Sequence, residues 1–287
     1  MLRFDYAEPA TLDEAAGLLR AAAGNASVLA GGTDLLVQMR EHVRAPVQVV
    51  NIKKILGIDD LEFDPVGGLR IGALTTTRRL ETSALVRAHY AGLHCSTVHF
   101  ASIQIRNRAT VVGNVCRASP SADTLPPLIA DAATLRLHGS AGVRSVALED
   151  FCTGPGKTLL GVDELVTHIH VPAPLPHTGK AYLKHGRRVE MELATVGVAV
   201  SLTLDGAACR EIRIVLAAVA PTPLRARGAE AVLRGQRVTP ASVAAVADAA
   251  MAEARPIGDV RGSADYRRRM VGVLTRRAIE QALEAAR

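Results

Sequence analysis

Three stretches of this chain carry residues suited to holding a phosphate. GPGKTLLG, Gly154 to Gly161, contains the Gly-Lys-Thr that ends a phosphate-binding loop. Such a loop needs a glycine five positions before the Gly-Lys pair, so that successive backbone N–H groups can curl around the phosphates. Phe151 holds that position, and LEDFCTGPGK shows no strand pattern ahead of it. No nucleotide is expected there. SVLAGGTDLLVQMR, residues 27–40, has the layout the first stretch lacks: strand, Gly-Gly turn, helix. Gly31 and Gly32 let backbone N–H groups approach an anion, and Thr33 and Asp34 begin a helix whose N-terminus favours negative charge. That field is worth only about 0.3–1 kcal/mol, so several N–H bonds must act together. Asp34 can instead cap its own helix and compete for the same donors. In the third stretch, TVVGNVCRASPSADTLPP, Gly113 permits a second close approach. Thr110 and Asn114 offer hydroxyl and amide partners there, and Asp123 can accept from ribose, ribityl or adenine groups. Two such loops could hold opposite ends of a long dinucleotide.

Other reactive side chains form no catalytic pattern. The serines, cysteines and nine histidines suggest no nucleophile with a base. His168 and His170 fall on one strand face with no third ligand in view, so alternation on a half-buried strand accounts for them. His94 and His99 are poorly spaced on a helix for shared ligation. Cys95, Cys116, Cys152 and Cys209 lack CxxC spacing, which argues against a zinc or iron–sulfur site.

The elements that must position the loops are legible in outline. Thr11 with Glu14 reads as a capping box ahead of the stripe Leu12, Ala15, Ala16, Leu18 and Leu19. SVLA and VQVVNI read as strands flanking the helix TDLLVQMR. LRIGALTT, ATLRLHG, GVRSVAL and ELVTHIHVP have strand character, while RRLETSALVR and AGLHCSTVHFASIQIRN read as two helices. The third loop stretch is too rich in Gly, Ser, Pro and Asp for a regular element. PAPLPHTGK marks a boundary, giving a first domain over 1–175, divided at about residue 53, and a second over 176–287. The second reads as two strands joined at Asp205-Gly206, followed by helices over AEAVLRG, PASVAAVADAAMAEA and SADYRRRMVGVLTRRAIEQALEAA.

At 287 residues the length suits about two domains. Aromatics make up 3% and Trp is absent, which disfavours a stacking platform for single-stranded nucleic acid. The net charge of +6 is concentrated beyond Pro176, with 18 Lys and Arg against 11 Asp and Glu. Arg187-Arg188, Arg267 to Arg269 and Arg276-Arg277 there suit nucleic acid, a membrane or an acidic partner protein, or are solvated helix arginines. No run approaches the ~18 apolar residues of a membrane span, and the N-terminus has no apolar signal core. A reduced cytoplasmic protein is expected.

AGGTDLL at 30 to 36, QIRNRATVVGN at 104 to 114 and ASPSADTLPPL at 118 to 128 together resemble the FAD-binding subunit of the molybdenum hydroxylases. That family includes the flavin subunits of carbon monoxide dehydrogenase, bacterial xanthine dehydrogenase and 4-hydroxybenzoyl-CoA reductase. KTLLGVDELVTHIHVP, YLKHGRRVEMELATVGVAV and DVRGSADYRRRM continue the resemblance, in family order, over nearly the whole chain. It implies an α+β protein: a vanillyl-alcohol-oxidase-type FAD-binding fold of two α/β subdomains, then a C-terminal domain of antiparallel sheet and helices. Ala30, Gly31, Gly32, Thr33, Asp34 and Leu35 would cradle the pyrophosphate. Thr110, Gly113, Asn114 and Asp123 would hold the adenosine and ribityl side. Val166 and Lys184 would lie near the isoalloxazine, with Tyr182 as a lid and the Lys184 ammonium stabilising charge on the reduced ring. GPGKTLLG becomes the lead into a strand. Two departures stand out. The family commonly has two glycines before the asparagine, and Val112 replaces the first, where it can crowd the cofactor. The cluster-binding cysteine loop of 4-hydroxybenzoyl-CoA reductase is missing.

The same resemblance implies a subunit that does not oxidise the organic substrate. Hydroxylation would occur at molybdenum in a molybdopterin-binding large subunit, with electrons passing through [2Fe–2S] clusters of a small subunit to FAD here. An external acceptor, NAD or another carrier, would receive them. Rival readings are a stand-alone FAD-dependent oxidoreductase of this fold, or a flavin-less basic scaffold or nucleic-acid-binding module.

Overall fold

The computed structural model describes residues 1–188 and 191–287, so Val189 and Glu190 of the YLKHGRRVEMELATVGVAV stretch lie outside the described residues. Short apolar runs near the N-terminus form a parallel sheet of β1 (Asp5–Ala7), β2 (Ala26–Leu29) and β3 (Gln48–Asn51), in the order β1-β3-β2. Parallel neighbours need crossovers, supplied by α1 (Leu12–Ala21) and α2 (Leu35–Arg40). Thr11 caps α1 as expected, accepting from the Glu14 N–H at 3.2 Å. The Glu14 carboxylate closes on the N–H of Ala10, one residue earlier than a capping box requires.

The second unit is an antiparallel sheet of β4 (Leu61–Asp64), β5 (Gly68–Gly72), β6 (Thr134–Gly139), β7 (Gly142–Ala147) and the later β10 (Leu165–Val171), in the order β4-β5-β10-β6-β7. Its alternating Leu69, Ile71, Leu135, Leu137 and Ile169 are fully buried. Between β5 and β6 the chain is more finely cut than the hydrophobic pattern suggests. The two expected helices become α3 (Thr77–Glu81) and α4 (Ala84–His89), then α5 (Ala91–Val98) and α6 (Ile103–Arg106). Ser83 and Ser102 each cap a new helix by accepting an N–H three residues on, and Ala101 is left-handed at φ 46°.

The Gly/Ser/Pro-rich stretch, expected to be irregular, contains α7 (Val111–Arg117) and α8 (Leu125–Ala130). Thr110 caps α7, and Pro126 sits in the first turn of α8, where its missing N–H costs nothing. LEDFCTGPGK also departs from expectation: α9 (Leu148–Phe151) precedes a two-stranded ribbon of β8 (Cys152–Gly154) and β9 (Lys157–Thr158).

The C-terminal sheet pairs β11 (Thr178–His185), β12 (Val196–Asp205), β13 (Ala208–Ala217) and β14 (Leu224–Arg225) in sequential antiparallel order. Three helices follow, α10 (Arg227–Leu233), α11 (Pro240–Glu253) and α12 (Ala264–Ala286). β12 is covered on both faces, by α12 and by α8 of the preceding unit, which explains its nearly unbroken apolar run VGVAVSLTL. Gly179 lets α12 press onto the sheet, since a Cβ there would lie 1.8 Å from the Ala282 carbonyl oxygen. The whole is α+β, as the resemblance implies. One basic position needs correcting: Arg267 is not available to a partner. It is 3% exposed, ion-paired to Asp259 at 2.6 Å and bonded to the Ala218 carbonyl at 3.0 Å.

Candidate cofactor-binding site

A cavity of about 440 Å³ opens where the N-terminal unit meets α7 and the ribbon. Ala30, Gly31, Gly32, Thr33, Asp34 and Leu35 form one wall, and Thr110, Gly113 and Asn114 the opposite one. Val166 joins them from the start of β10, just before a bulge. The structure thus gathers ten of the twelve residues singled out in the sequence.

Close approach of the two loops depends on Gly31. A Cβ at that position would stand 2.2 Å from the Arg108 carbonyl oxygen. Gly32 takes the left-handed region at φ 78°, which favours glycine. The N–H groups of Gly31, Gly32, Thr33 and Asp34 donate to no acceptor among the described residues. Four successive open donors are what an anion requires; α2, six residues long, adds little dipole of its own. Asp34 does not cap α2 through its side chain; its carboxylate lies 3.6 Å from Arg117 Nε in an exposed pair.

On the facing wall the Thr110 hydroxyl accepts from the Gly113 N–H at 3.0 Å. Its own O–H is left to donate. A Cβ on Gly113 would come within 2.8 Å of that oxygen, so the glycine serves the cap as well as the cavity. Thr110→Ala is expected to cost about 1 kcal/mol as a lost N-cap, read as a lower denaturant midpoint of the FAD-free protein. Asn114 Oδ1 accepts from the Thr124 hydroxyl at 2.7 Å, leaving the amide N–H donors free of protein acceptors among the described residues.

Val112 is 4% exposed and belongs to the core around Val111, Val115 and Leu125, and it also lines the cavity between Thr110 and Gly113. Restoring the family's glycine there removes a packed side chain from a helix. Val112→Gly should destabilise the fold by roughly 2–3 kcal/mol, and a gain in flavin affinity would show that the valine crowds the cofactor. Thermal unfolding and flavin titration check the two halves.

Asp123 and Lys184 are the two residues outside the cavity lining. They form a buried ion pair at 2.8 Å, and the Tyr182 hydroxyl donates to the other Asp123 oxygen at 2.8 Å. Burial pushes the Asp123 carboxyl up while Lys184 opposes it, and burial beside Asp123 raises the Tyr182 phenol well above its usual value. Tyr182 is 1% exposed, so it is an internal strut and not a lid. Lys184 also donates to the His99 carbonyl at 3.2 Å, next to the cavity-lining Phe100. Four residues back on the same face of β11, Lys180 pairs with buried Asp131 at 2.8 Å, so one strand face pins the C-terminal domain to the FAD-binding part.

Sequence reasoning missed Phe100, Arg117 and the ribbon residues Gly156, Thr158 and Leu160 to Val162, all of which line the cavity. The Gly-Lys-Thr stretch therefore needs correction: it is no P-loop, yet it contributes to the site. Gly156 turns the ribbon at φ 70° and donates its N–H to the Ala118 carbonyl at 2.9 Å, fastening the ribbon to the end of α7. The glycine was the available signal; the pairing that brings it to α7 was not.

A donor-lined cleft between a parallel α/β unit and an antiparallel-sheet unit defines a protein that holds an extended phosphate-bearing cofactor. The family model for the FAD binding domain in molybdopterin dehydrogenase matches residues 2–174, and that for the CO dehydrogenase flavoprotein C-terminal domain matches residues 180–282. The xanthine dehydrogenase FAD-binding subunit of Escherichia coli O157:H7 is 33% identical, covering 99% of this chain and 98% of its own. The carbon monoxide dehydrogenase medium chain of Hydrogenophaga pseudoflava is 36% identical, covering 98% and 97%. A solved carbon monoxide dehydrogenase from that organism superposes with a TM-score of 0.95 at 36% identity, covering 99% of this chain and 98% of the matched one. Quinoline 2-oxidoreductase from Pseudomonas putida 86 gives 0.91 at 29% identity, covering 99% and 98%. The chain belongs to the family of FAD-binding subunits of molybdenum hydroxylases. It is an oxidoreductase subunit and its cofactor is FAD, which the open donors of Gly31 to Asp34 and the opposed Thr110 and Asn114 fit. Among the described residues no helix is long and apolar enough to cross a membrane.

Proposed function

We propose that this chain is the electron-transfer subunit of a molybdenum-containing hydroxylase or dehydrogenase. Electrons enter from [2Fe–2S] clusters of a small partner subunit and leave to an external acceptor such as NAD, while a molybdopterin-binding large subunit handles the organic substrate. Bound FAD supplies the redox chemistry, and the polypeptide positions and screens it. The N–H groups of Gly31 to Asp34 would bind the pyrophosphate, and Thr110 and Asn114 would donate to adjoining groups. Val166 would pack on the ring system. Asp123 would act from behind the wall, holding the Lys184 ammonium beside Phe100, where its charge favours an anionic reduced cofactor. The cofactor-binding part is assigned to residues 1–175, with subdomains 1–53 and 54–175, and the C-terminal domain to 176–287.

The observation that carries this reading is the row of four N–H donors without an acceptor among the described residues, in a loop that lines one cavity together with a second loop. Purification of the full chain, a visible spectrum and chromatography of the released small molecule test it. Stoichiometric FAD, together with co-purifying molybdenum and iron–sulfur polypeptides, is the expected result. A folded chain that takes up no flavin from excess FAD would refute it.

A further inference from the structure

Between α5 and α6 the chain turns through His99 to Ser102, and this turn carries Phe100 into the cavity lining. Its backbone is not relaxed: Ala101 is left-handed at φ 46°, a region an alanine occupies only where its surroundings impose it. A helix end leaves its last carbonyls without partners. Here the carbonyls of Val98, Phe100 and Ala101 converge on one group, Arg106 Nη1, at 3.2, 2.9 and 3.2 Å. Arg106 stands at the end of α6 and reaches back over the turn, while its Nε donates to the Glu81 carboxylate at 2.8 Å. Glu81 is itself fixed. Its carboxylate also pairs with Arg78 at 2.9 Å, and its carbonyl lies 2.9 Å from His94 Nε2. Its helix, α3, begins with Thr77, whose N–H and hydroxyl donate to the Ala109 carbonyl at 2.8 and 3.2 Å. Ala109 and Thr110 both line the cavity. Arg106 thereby joins the Phe100 turn, through α3, to the wall that carries Thr110. A planar guanidinium can serve a carboxylate and several carbonyls at once, which a compact ammonium cannot.

We propose that Arg106 is a positioning residue for FAD: its guanidinium sets the turn from His99 to Ala101 so that Phe100 stands in the cavity wall, and it acts on the cofactor through that ring. The proposal rests on FAD occupying this cavity and is independent of the route the electrons take. Removing Arg106 leaves Glu81 paired with Arg78, so no carboxylate is stranded and the effect stays local to the turn.

The test uses the full chain labelled with a fluorinated phenylalanine. Its four phenylalanines are Phe4, Phe63, Phe100 and Phe151, so the fluorine NMR spectrum is simple, and Phe100→Leu assigns the cavity signal. In the wild type that signal should move when FAD is added. In FAD-free Arg106→Gln it should shift or broaden while those of Phe63 and Phe151 stay in place. FAD affinity, measured by titration, should fall about 10-fold, the loss of one charge-assisted hydrogen-bonding group. Arg106→Lys, which can keep the Glu81 pair, should recover part of that loss. Phe100→Leu should also weaken FAD, and adding Arg106→Gln to it should weaken FAD no further. The proposal is overturned if the Phe100 signal of Arg106→Gln matches the wild type, or if the two substitutions weaken FAD additively. It is equally overturned if the Phe63 and Phe151 signals move with that of Phe100, which would make Arg106 a residue of the general fold. A wild-type chain that takes up no FAD is a separate failure: it refutes the cofactor reading itself, and this proposal with it.

Discussion

Gly31→Ala is expected to cost the chain most of its FAD. The added methyl would sit 2.2 Å from the Arg108 carbonyl oxygen and 3.0 Å from the Ala109 Cα, both backbone atoms that cannot rotate away. Relief requires the first loop and the segment ahead of α7 to move apart. Overpacking of this kind typically costs 1–3 kcal/mol. The displacement falls on the donor row and on Thr110, so cofactor affinity should drop by up to about 100-fold if that cost is expressed in binding. Flavin titration of the FAD-free protein measures it. Gly17→Ala is the control, because nothing lies within 4 Å of a Cβ there. Equal FAD affinity in the Gly31 variant would mean that the loops do not need this contact.

The second large effect is expected at Lys184. Its side chain and that of Asp123 are each 8% exposed, so Lys184→Met leaves a buried carboxylate with only the Tyr182 hydroxyl and no counter-charge. Breaking one side of such a pair costs about 3–5 kcal/mol. For a chain of this size that is a fall of roughly 10 °C in melting temperature. The measurement belongs on FAD-free protein, where a role confined to the cofactor would leave the melting temperature unchanged. Lys184→Met combined with Asp123→Asn should recover part of the loss, because the unpaired charge is gone. If the single variant melts like wild type without FAD, the pair does not hold β11 against the segment before α8.

Much of this arrangement was legible in the sequence because it is local. The Gly-Gly turn between an apolar run and a helical stripe, the Thr11 cap ahead of α1, and the strand alternation of ELVTHIHVP each rest on neighbours within a few positions. Three things were not local. The serines that cut long helical stripes into short helices act through caps that periodicity does not register. Val112 showed in the sequence only as a departure from a motif; that its side chain joins the core while lining the cavity depends on packing. Tyr182 looked like a lid until its hydroxyl was found on Asp123.

The sequence by itself determined the family and the cofactor, through the resemblance its motifs carry, and much of the local structure, since glycine turns, caps and hydrophobic periods are set by short-range sterics and backbone hydrogen bonding. Only the tertiary structure decided what the cavity walls face. It brought the Gly-Lys-Thr ribbon and Phe100 to the cavity, and turned Asp123 and Lys184 onto each other behind it. It also buried Arg267 and paired Arg106 with Glu81. Each of these joins residues far apart in the chain, and such contacts are fixed by which apolar faces pack together, not by the spacing of the residues that meet.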